Sequence, residues 1–368
     1  MSVDPIAVYV HVPFCPSKCG YCDFNSYALG RLDPDIMGRT VAAIRSEIES
    51  SPFAGRPART IFFGGGTPTY LAAEQLTGLL ETVMAVHPPI PDCEISSEAN
   101  PGTVDATKFA AMRAAGFNRI SLGAQSFDNA DLIRLERVHV ADEIDRAVAA
   151  AREAGFDNLN LDLMFALPHQ SRRAWATNLE KALSLAPDHI SLYCLTIEPN
   201  TAFYKRHLRG QLELPDEDAQ VEMYDDCLRR TQEAGFIQYE ISNFARPGRE
   251  CQHNLEYWHN REYAGYGPGA VGRVGDIRTT MMKHPKLYCE AVEAGNRPLL
   301  ESEPLDDATL RFEQIMLGLR LNDGIDPALA SPQGRERMLA RGWISISSRL
   351  QLTEAGRHFC SEVALELA

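Results

Sequence analysis

Three stretches of this chain close a helix-like run in the same way: AAGFNRISLG (114–123), EAGFDNLNLD (153–162) and EAGFIQYEIS (233–242). Each places a glycine after the helix (Gly116, Gly155, Gly235), then a phenylalanine, then a strand-like run. A glycine just past a helix end adopts the left-handed conformation that other residues resist. The three glycines lie 39 and 80 residues apart, close to one and two periods. A period near ~40 residues also occurs in helical repeats, but the strand that follows each glycine selects repeating strand–helix units. Alternating strands and helices imply a parallel sheet, either open and doubly wound or curled into a barrel.

The rest of the chain continues the alternation. Strands are expected at 7–12, 60–63, 93–98, after Gly116, after Gly155 and at 190–195, and helices at 32–50 (capped by Asp33), 71–86 and through 108–115. The polar, glycine-rich segments all follow strands: a cysteine cluster, GGGTP, EANP and AQS. Loops at the carboxyl ends of parallel strands share one edge, and contributions from many successive strands favour a partial (β/α) barrel of about six strands. The tail differs. A helix at 306–321 precedes helix, two short strands and helix over 336–367, which reads as a small winged-helix-like unit. We divide the chain into a barrel (1–240), a connecting segment (241–300) and this tail (301–368).

Charge and composition narrow the function classes. The formal charge of −14 comes without a basic stripe, so a nucleic-acid partner is not expected. No apolar run spans a bilayer, and the start MSVDPIAVYVHVPF lacks the basic region of a secretion signal. A cytoplasmic protein is expected, where clustered cysteines are ligands or catalysts rather than disulfides.

That cluster is HVPFCPSKCGYCDFNSY (11–27), with Cys15, Cys19 and Cys22 directly after the first strand. Three readings are open. Soft thiolates suit an iron–sulfur cluster, and three of them leave one iron of a [4Fe–4S] cluster free. A structural zinc wants a fourth ligand, for which His11 is the neighbour. The bland reading is three idle thiols.

The C-x-x-x-C-x-x-C spacing after the first strand resembles the radical S-adenosylmethionine superfamily. That resemblance implies a [4Fe–4S] cluster on Cys15, Cys19 and Cys22, with S-adenosylmethionine chelating the open iron and yielding a 5′-deoxyadenosyl radical on reduction. It also implies a full or partial barrel with the site at its C-terminal mouth. The remaining spacings resemble one branch, the oxygen-independent coproporphyrinogen III dehydrogenases and their relatives. There the cofactor contacts fall on Tyr9, Tyr21, Gly65, Gly66, Thr67, Glu98, Gln125, Arg137 and Asp162. Taken alone, the triple glycine is a turn, Glu98 a helix-start carboxylate, and Gln125 and Arg137 solvated side chains. Asp162 sits in an apolar strand, where an unsatisfied carboxylate is costly.

The branch divides. The oxidases carry C-x-x-x-C-x-x-C-x-C, with a fourth cysteine, and a segment before the cluster; here Cys22 is followed by Asp23 and Phe24, and the first cysteine is already residue 15. CDFNSY is similar to the HemW-type heme chaperones, as is Cys251-Gln-His253-Asn-Leu-Glu-Tyr257-Trp258. The resemblance implies heme as cargo, with His253, Tyr257 and Trp258 at its site, and delivery to hemoproteins such as respiratory enzymes, membrane-associated ones included. Read alone, His253 is a core histidine beside aromatic neighbours. In the glycine-rich segment 263–274 the family's histidine is replaced by Val271, which leaves His253, His259 or Cys251 as candidate iron ligands. The alternative function is radical oxidative decarboxylation of coproporphyrinogen III, an activity not expected here although the radical site is retained.

Overall fold

The computed structural model describes residues 4–31 and 33–368, with the side chain of Arg31 left aside. Its centre is one sheet of twelve strands. In chain order these are β1 (Ile6–Val12), β2 (Ala58–Gly65), β3 (Pro89–Ala99), β4 (Arg119–Gln125), β5 (Leu159–Phe165), β6 (His189–Cys194), β7 (Ile237–Glu240), β8 (Asn243–Ala245), β9 (Tyr263–Tyr266), β10 (Val271–Val274), β11 (Ile277–Met281) and β12 (Leu299–Pro304). The spatial order is β12-β11-β10-β9-β1-β2-β3-β4-β5-β6-β8-β7. Strands β1 to β6 run parallel, as expected, and β9 adds a seventh parallel strand beside β1. The sequence reading had taken β9 for part of a glycine-rich loop. Antiparallel strands extend both sides of this parallel run. The third repeat therefore departs from the first two: the hairpin strand β8 separates β7 from β6.

Gly116, Gly155 and Gly235 all have positive φ (115°, 88° and 82°), as their place after a helix requires. The first helix runs Ile36–Glu49. Its expected start at Leu32 lies outside the described residues, and the Asp33 carboxylate accepts from the Asp35 N–H at 3.1 Å.

Strand parity sorts the residues onto two faces. Val8, Val10, Ile61, Phe63, Ile120, Leu122, Leu161, Leu163, Ile190 and Leu192 join the apolar core under the helices. The alternate positions are Thr60, Glu94, Ser96, Glu98, Ser121, Asn160, Asp162, His189 and Ser191. Glu98 on β3, Ser121 on β4, Asp162 on β5 and Tyr193 on β6 line one cavity, so the sheet curls and this polar face is concave. A polar interior in a parallel sheet marks function, because such strands are ordinarily apolar on both faces.

The sheet crosses the sequence borders at 240 and 300, since β8 to β12 all join it. The tail has its own core of Ile315, Leu319, Met338, Leu350, Val363 and Leu367. It is tied to β7 by Arg320 on Glu240 (2.8 Å) and Arg357 on Gln238 (2.8 Å). Among the described residues no helix is long and apolar enough to cross a membrane.

Beneath β9, the buried Glu47 carboxylate accepts from the Gly267 N–H (2.8 Å) and the Tyr288 hydroxyl. Burial pushes it up to about 7, from an ordinary 4.5. The folded protein thus holds a proton that the unfolded chain has released. This group's stabilising effect is full below the unfolded value and is lost as pH rises through the folded one, on the order of 3 kcal/mol in all. Glu47→Gln should therefore gain stability relative to the wild type between about pH 5 and pH 8 in thermal unfolding. Parallel pH profiles would show that the carboxyl ionises normally.

Candidate functional site

The cysteine loop is stapled over the strand ends. Phe14–Cys15 pairs with Tyr27–Ala28, closing residues 16–26 into a lobe. Inside it the Cys22 N–H donates to the Cys19 carbonyl (3.2 Å), and the Lys18 ammonium donates to the carbonyls of Phe24 (2.9 Å) and Ser26 (3.2 Å). The Asn25 amide anchors the lobe to the carbonyls of Pro268 and Lys283. His11, the sequence candidate for a fourth zinc ligand, is committed elsewhere. Its Nε2–H donates to the Asn25 carbonyl (2.9 Å), so its Nδ1 accepts from the Tyr9 hydroxyl (3.1 Å).

Cys15, Cys19 and Cys22 are all free thiols, and all three line a cavity of about 440 Å³ at the C-terminal ends of the strands. Cys15 Sγ lies 3.4 Å from the Thr67 hydroxyl, and the Arg137 guanidinium donates to Cys19 Sγ at 3.6 Å. Burial pushes the Cys15 and Cys22 thiols up, and charge on a neighbouring cysteine adds to the effect. Among the described residues no three His, Cys, Asp or Glu side chains close on a single-ion position. A four-iron cluster asks for a wider spread, because each thiolate takes a different iron.

Two glycines shape the wall opposite. Gly65 has a φ of 105°, and a Cβ there would meet the His11 ring at 2.3 Å. A Cβ on Gly66 would meet the Phe14 carbonyl oxygen at 2.6 Å. The close approach lets the Gly66 and Thr67 N–H groups donate to the carbonyls of Val12 (2.8 Å) and Phe14 (2.7 Å), which fixes the turn against the cysteine lobe. The Gly65 N–H donates to Glu98 (3.1 Å), whose carboxyl is pushed up to about 8 by burial and by the charge of Asp162. Asp162 accepts from Ser121 (2.8 Å) and Asn160 (2.9 Å), which satisfies the carboxylate that the sequence left exposed in an apolar strand. Gln125 enters the cavity from a left-handed backbone (φ 64°), unusual for a residue with a side chain. Arg137 is half-buried, with its Nη2 on the Gly123 carbonyl (2.7 Å).

Tyr21, Gly65, Gly66, Thr67, Glu98, Gln125, Arg137 and Asp162 thus meet the three cysteines in one cavity. Tyr9 stands apart. It lies deeper in the barrel, stacked on Phe62 and on His253 with ring centroids 6.3 Å away in each case. Sequence reasoning missed Ser121 and Asn160, the partners of Asp162, and the lining residues Met164, Tyr193 and Cys194. Polar residues on the inner parity of apolar strands were the available signal. The donor set fits a cationic cofactor and an iron–sulfur cluster: three soft thiols, two carboxylates and a glycine cradle.

The HNLEYW segment forms the helix Gln252–Trp258 at the opposite, N-terminal end of the strands. His253 is buried, with Nδ1 on the Thr60 hydroxyl (2.8 Å) and Nε2 on the Tyr257 hydroxyl (2.9 Å). Burial and the charge of Arg119 push it down to about 3. Both ring nitrogens are engaged, so the expected direct ligation of heme by His253 is not available in this arrangement. Cys251 is also buried, its thiol on Glu94 (3.6 Å). His259, at the end of the helix, is exposed, and the charges of Arg261 and Arg349 act on it. Trp258 lies beneath the Arg320 guanidinium, 4.5 Å from its ring centroid.

A curled parallel sheet with three cysteines at its C-terminal mouth is the architecture of radical S-adenosylmethionine proteins, and residues 9–182 match the Radical SAM superfamily. The fold resembles that of coproporphyrinogen III oxidase (HemN) from Escherichia coli, with a TM-score of 0.85 at 24% identity, covering 100% of this chain and 91% of the other. Heme chaperone HemW of Mycobacterium tuberculosis is 40% identical, over 100% of this chain and 96% of its own length. The E. coli heme chaperone HemW is 38% identical, over 100% and 99%. Bovine radical S-adenosyl methionine domain-containing protein 1, mitochondrial, is 35% identical, over 87% and 74%. The chain belongs to the HemW family of radical S-adenosylmethionine proteins, and this membership implies a [4Fe–4S] cluster and S-adenosylmethionine.

Proposed function

We propose that this protein is a heme chaperone: it binds heme and hands it to recipient hemoproteins. The observation that carries the reading is its full-length relatedness to heme chaperones. The oxidase alternative rests on the shared fold alone.

In this reading the cavity at the C-terminal mouth holds the cluster on Cys15, Cys19 and Cys22. The Gly65–Thr67 turn, Glu98, Gln125, Arg137 and Asp162 hold S-adenosylmethionine. Tyr21 closes the wall beside Arg137, and Tyr9 supports the site from below through His11. Bound together, the two cofactors supply one-electron chemistry at a sulfonium. The residues' own work is electrostatic. Glu98 and Asp162 would offer negative charge to the sulfonium of the cofactor, and Arg137 steadies the Cys19 thiolate.

Heme is assigned to the other end of the barrel, on the helix Gln252–Trp258. His259 is the axial ligand in this proposal. Partial desolvation of the ring and the charge of Arg261 lower its basicity, and a neutral imidazole is the metal-ligating form. Arg261, exposed beside His259 with its Nη1 on Glu256 (2.7 Å), suits a propionate, because guanidinium recognises carboxylate in a planar, paired fashion. Trp258 borders the helix under Arg320, while His253 and Tyr257 brace the helix from within.

Anaerobic heme titration of the reconstituted protein, followed by Soret absorption, tests this. His259→Ala should weaken binding at least ~10-fold and shift the Soret band, as expected for loss of an axial ligand. His253→Ala should act more weakly, through the helix. Unchanged spectra and affinity in His259→Ala would reject that ligand, and no saturable binding in the wild type would reject the chaperone reading.

A further inference from the structure

The concave face of the sheet carries a chain of hydrogen bonds that links its two ends. At one end the Asp162 carboxylate, in the cofactor cavity, accepts from the Asn160 amide Nδ2 at 2.9 Å. Asn160 Oδ1 accepts from His189 Nδ1 at 2.7 Å. Since an amide oxygen only accepts, the proton sits on Nδ1, and Nε2 must accept in turn from the Tyr239 hydroxyl at 2.8 Å. The Tyr239 oxygen then accepts the backbone N–H of Cys251 at 3.3 Å. Cys251 is the residue from which the helix carrying HNLEYW starts.

Every bond in this chain points the same way, from the Cys251 amide to the Asp162 carboxylate. Bonds aligned like this polarise one another in a low-dielectric interior. The alignment requires a neutral His189, and burial, with the charge of Arg119, holds that imidazole well below its ordinary value. Asn160 and His189 are buried and Tyr239 nearly so, so water does not compete for the chain. A second contact brings the same helix start onto the sheet: the Glu94 carboxylate accepts the N–H groups of Gln252 and His253, each at 3.1 Å. Arg119 lies 3.9 Å from Glu94, with its Nε buried and unpartnered among the described residues, and its field reaches both Asp162 and Cys251. The helix start is thus held by the same interior that holds the cavity carboxylate.

We infer that Asn160, His189 and Tyr239 are positioning residues that tie Asp162 to the first turn of the HNLEYW helix, so that S-adenosylmethionine and heme bind in a linked manner. The inference rests on the heme site proposed above. A cationic ligand at Asp162 draws on the carboxylate that terminates the chain, which changes how firmly Asn160 holds His189, and so how Tyr239 meets the helix start. The effect is reciprocal by thermodynamic necessity.

The test uses the full reconstituted chain. S-adenosylmethionine is titrated by calorimetry with and without bound heme, and heme by Soret absorption with and without S-adenosylmethionine. The wild type should show an affinity change of at least ~5-fold, by the same factor in both directions. Tyr239→Phe keeps the ring and removes the hydroxyl that joins His189 to Cys251. In this variant the factor should fall to one, while each ligand taken alone stays within ~3-fold of the wild type, below the usual range of a coupling. Ser191→Ala removes only a side contact onto Asn160 Oδ1 (3.2 Å) and should keep the factor. Independent binding in the wild type, or undiminished linkage in Tyr239→Phe, would overturn the inference with the heme site standing. Absence of saturable heme binding would overturn both.

Discussion

Cys19→Ser is expected to yield a folded protein without a cluster. Iron and acid-labile sulfide should fall from about four of each per chain to background after anaerobic reconstitution, because a hydroxyl is a poor substitute for a soft thiolate. The fold should survive. Cys19 lies in the lobe closed by Phe14–Cys15 and Tyr27–Ala28, outside the apolar cores, and its turn rests on the Cys22 N–H bond to its carbonyl. The Arg137 guanidinium loses its sulfur partner but keeps the Gly123 carbonyl. Far-ultraviolet circular dichroism and the melting temperature should therefore stay near the wild type. A variant that retained a full cluster would remove Cys19 from the ligand set, and one that failed to fold would make the cysteine structural.

The second large effect is a pH dependence of cofactor binding. Glu98 is pushed up to about 8, first by burial and then by Asp162. It therefore holds a proton at neutral pH. A cofactor carrying a sulfonium favours the ionised form, so binding expels that proton below about pH 8. The affinity should rise up to ~10-fold per pH unit between about pH 6 and 8 and then level off. Calorimetry in buffers of different ionisation enthalpy should register close to one more proton released by the wild type than by Glu98→Gln at about pH 6.5. The variant's profile should be correspondingly less steep over this range. A wild-type profile as flat as the variant's would show that Glu98 is already ionised when the cofactor arrives.

Much of the cofactor cavity was readable along the chain because its parts are local. Cys15, Cys19 and Cys22 stand in one loop, Gly65 to Thr67 in another, and each follows a strand. In a parallel sheet all such loops come to one edge, so residues as distant as Cys15 and Asp162 meet without any further information. The same logic failed for Tyr9, which sits on the inner parity of β1 but two residues below His11, too deep to line the cavity.

At the other end of the barrel His253 is the core histidine that its aromatic neighbours suggest, but its partners were not readable, and the reason is physical. His253 carries the same imidazole whether it faces solvent or Thr60, and only the docking of its helix against β2 and β3 decides which. That docking depends on Glu94, more than 150 residues earlier in the chain. The antiparallel strands β8 and β10 to β12 were missed for a related reason: short, glycine-containing segments such as YAGYGPGAVGRV become strands only when a partner edge is present.

The sequence by itself determined the alternation of strand and helix, the cysteine spacing and the strand-end loops, all set by backbone preference and side-chain chemistry over a few residues. The tertiary structure alone decided which polar side chains are spent on one another. It committed His11 to Asn25 and His253 to Thr60 and Tyr257, left His259 in solvent, and aligned Asn160, His189 and Tyr239 behind Asp162. A hydrogen bond depends on two groups meeting at about 3 Å, and in a curled sheet those groups come from strands far apart in the chain.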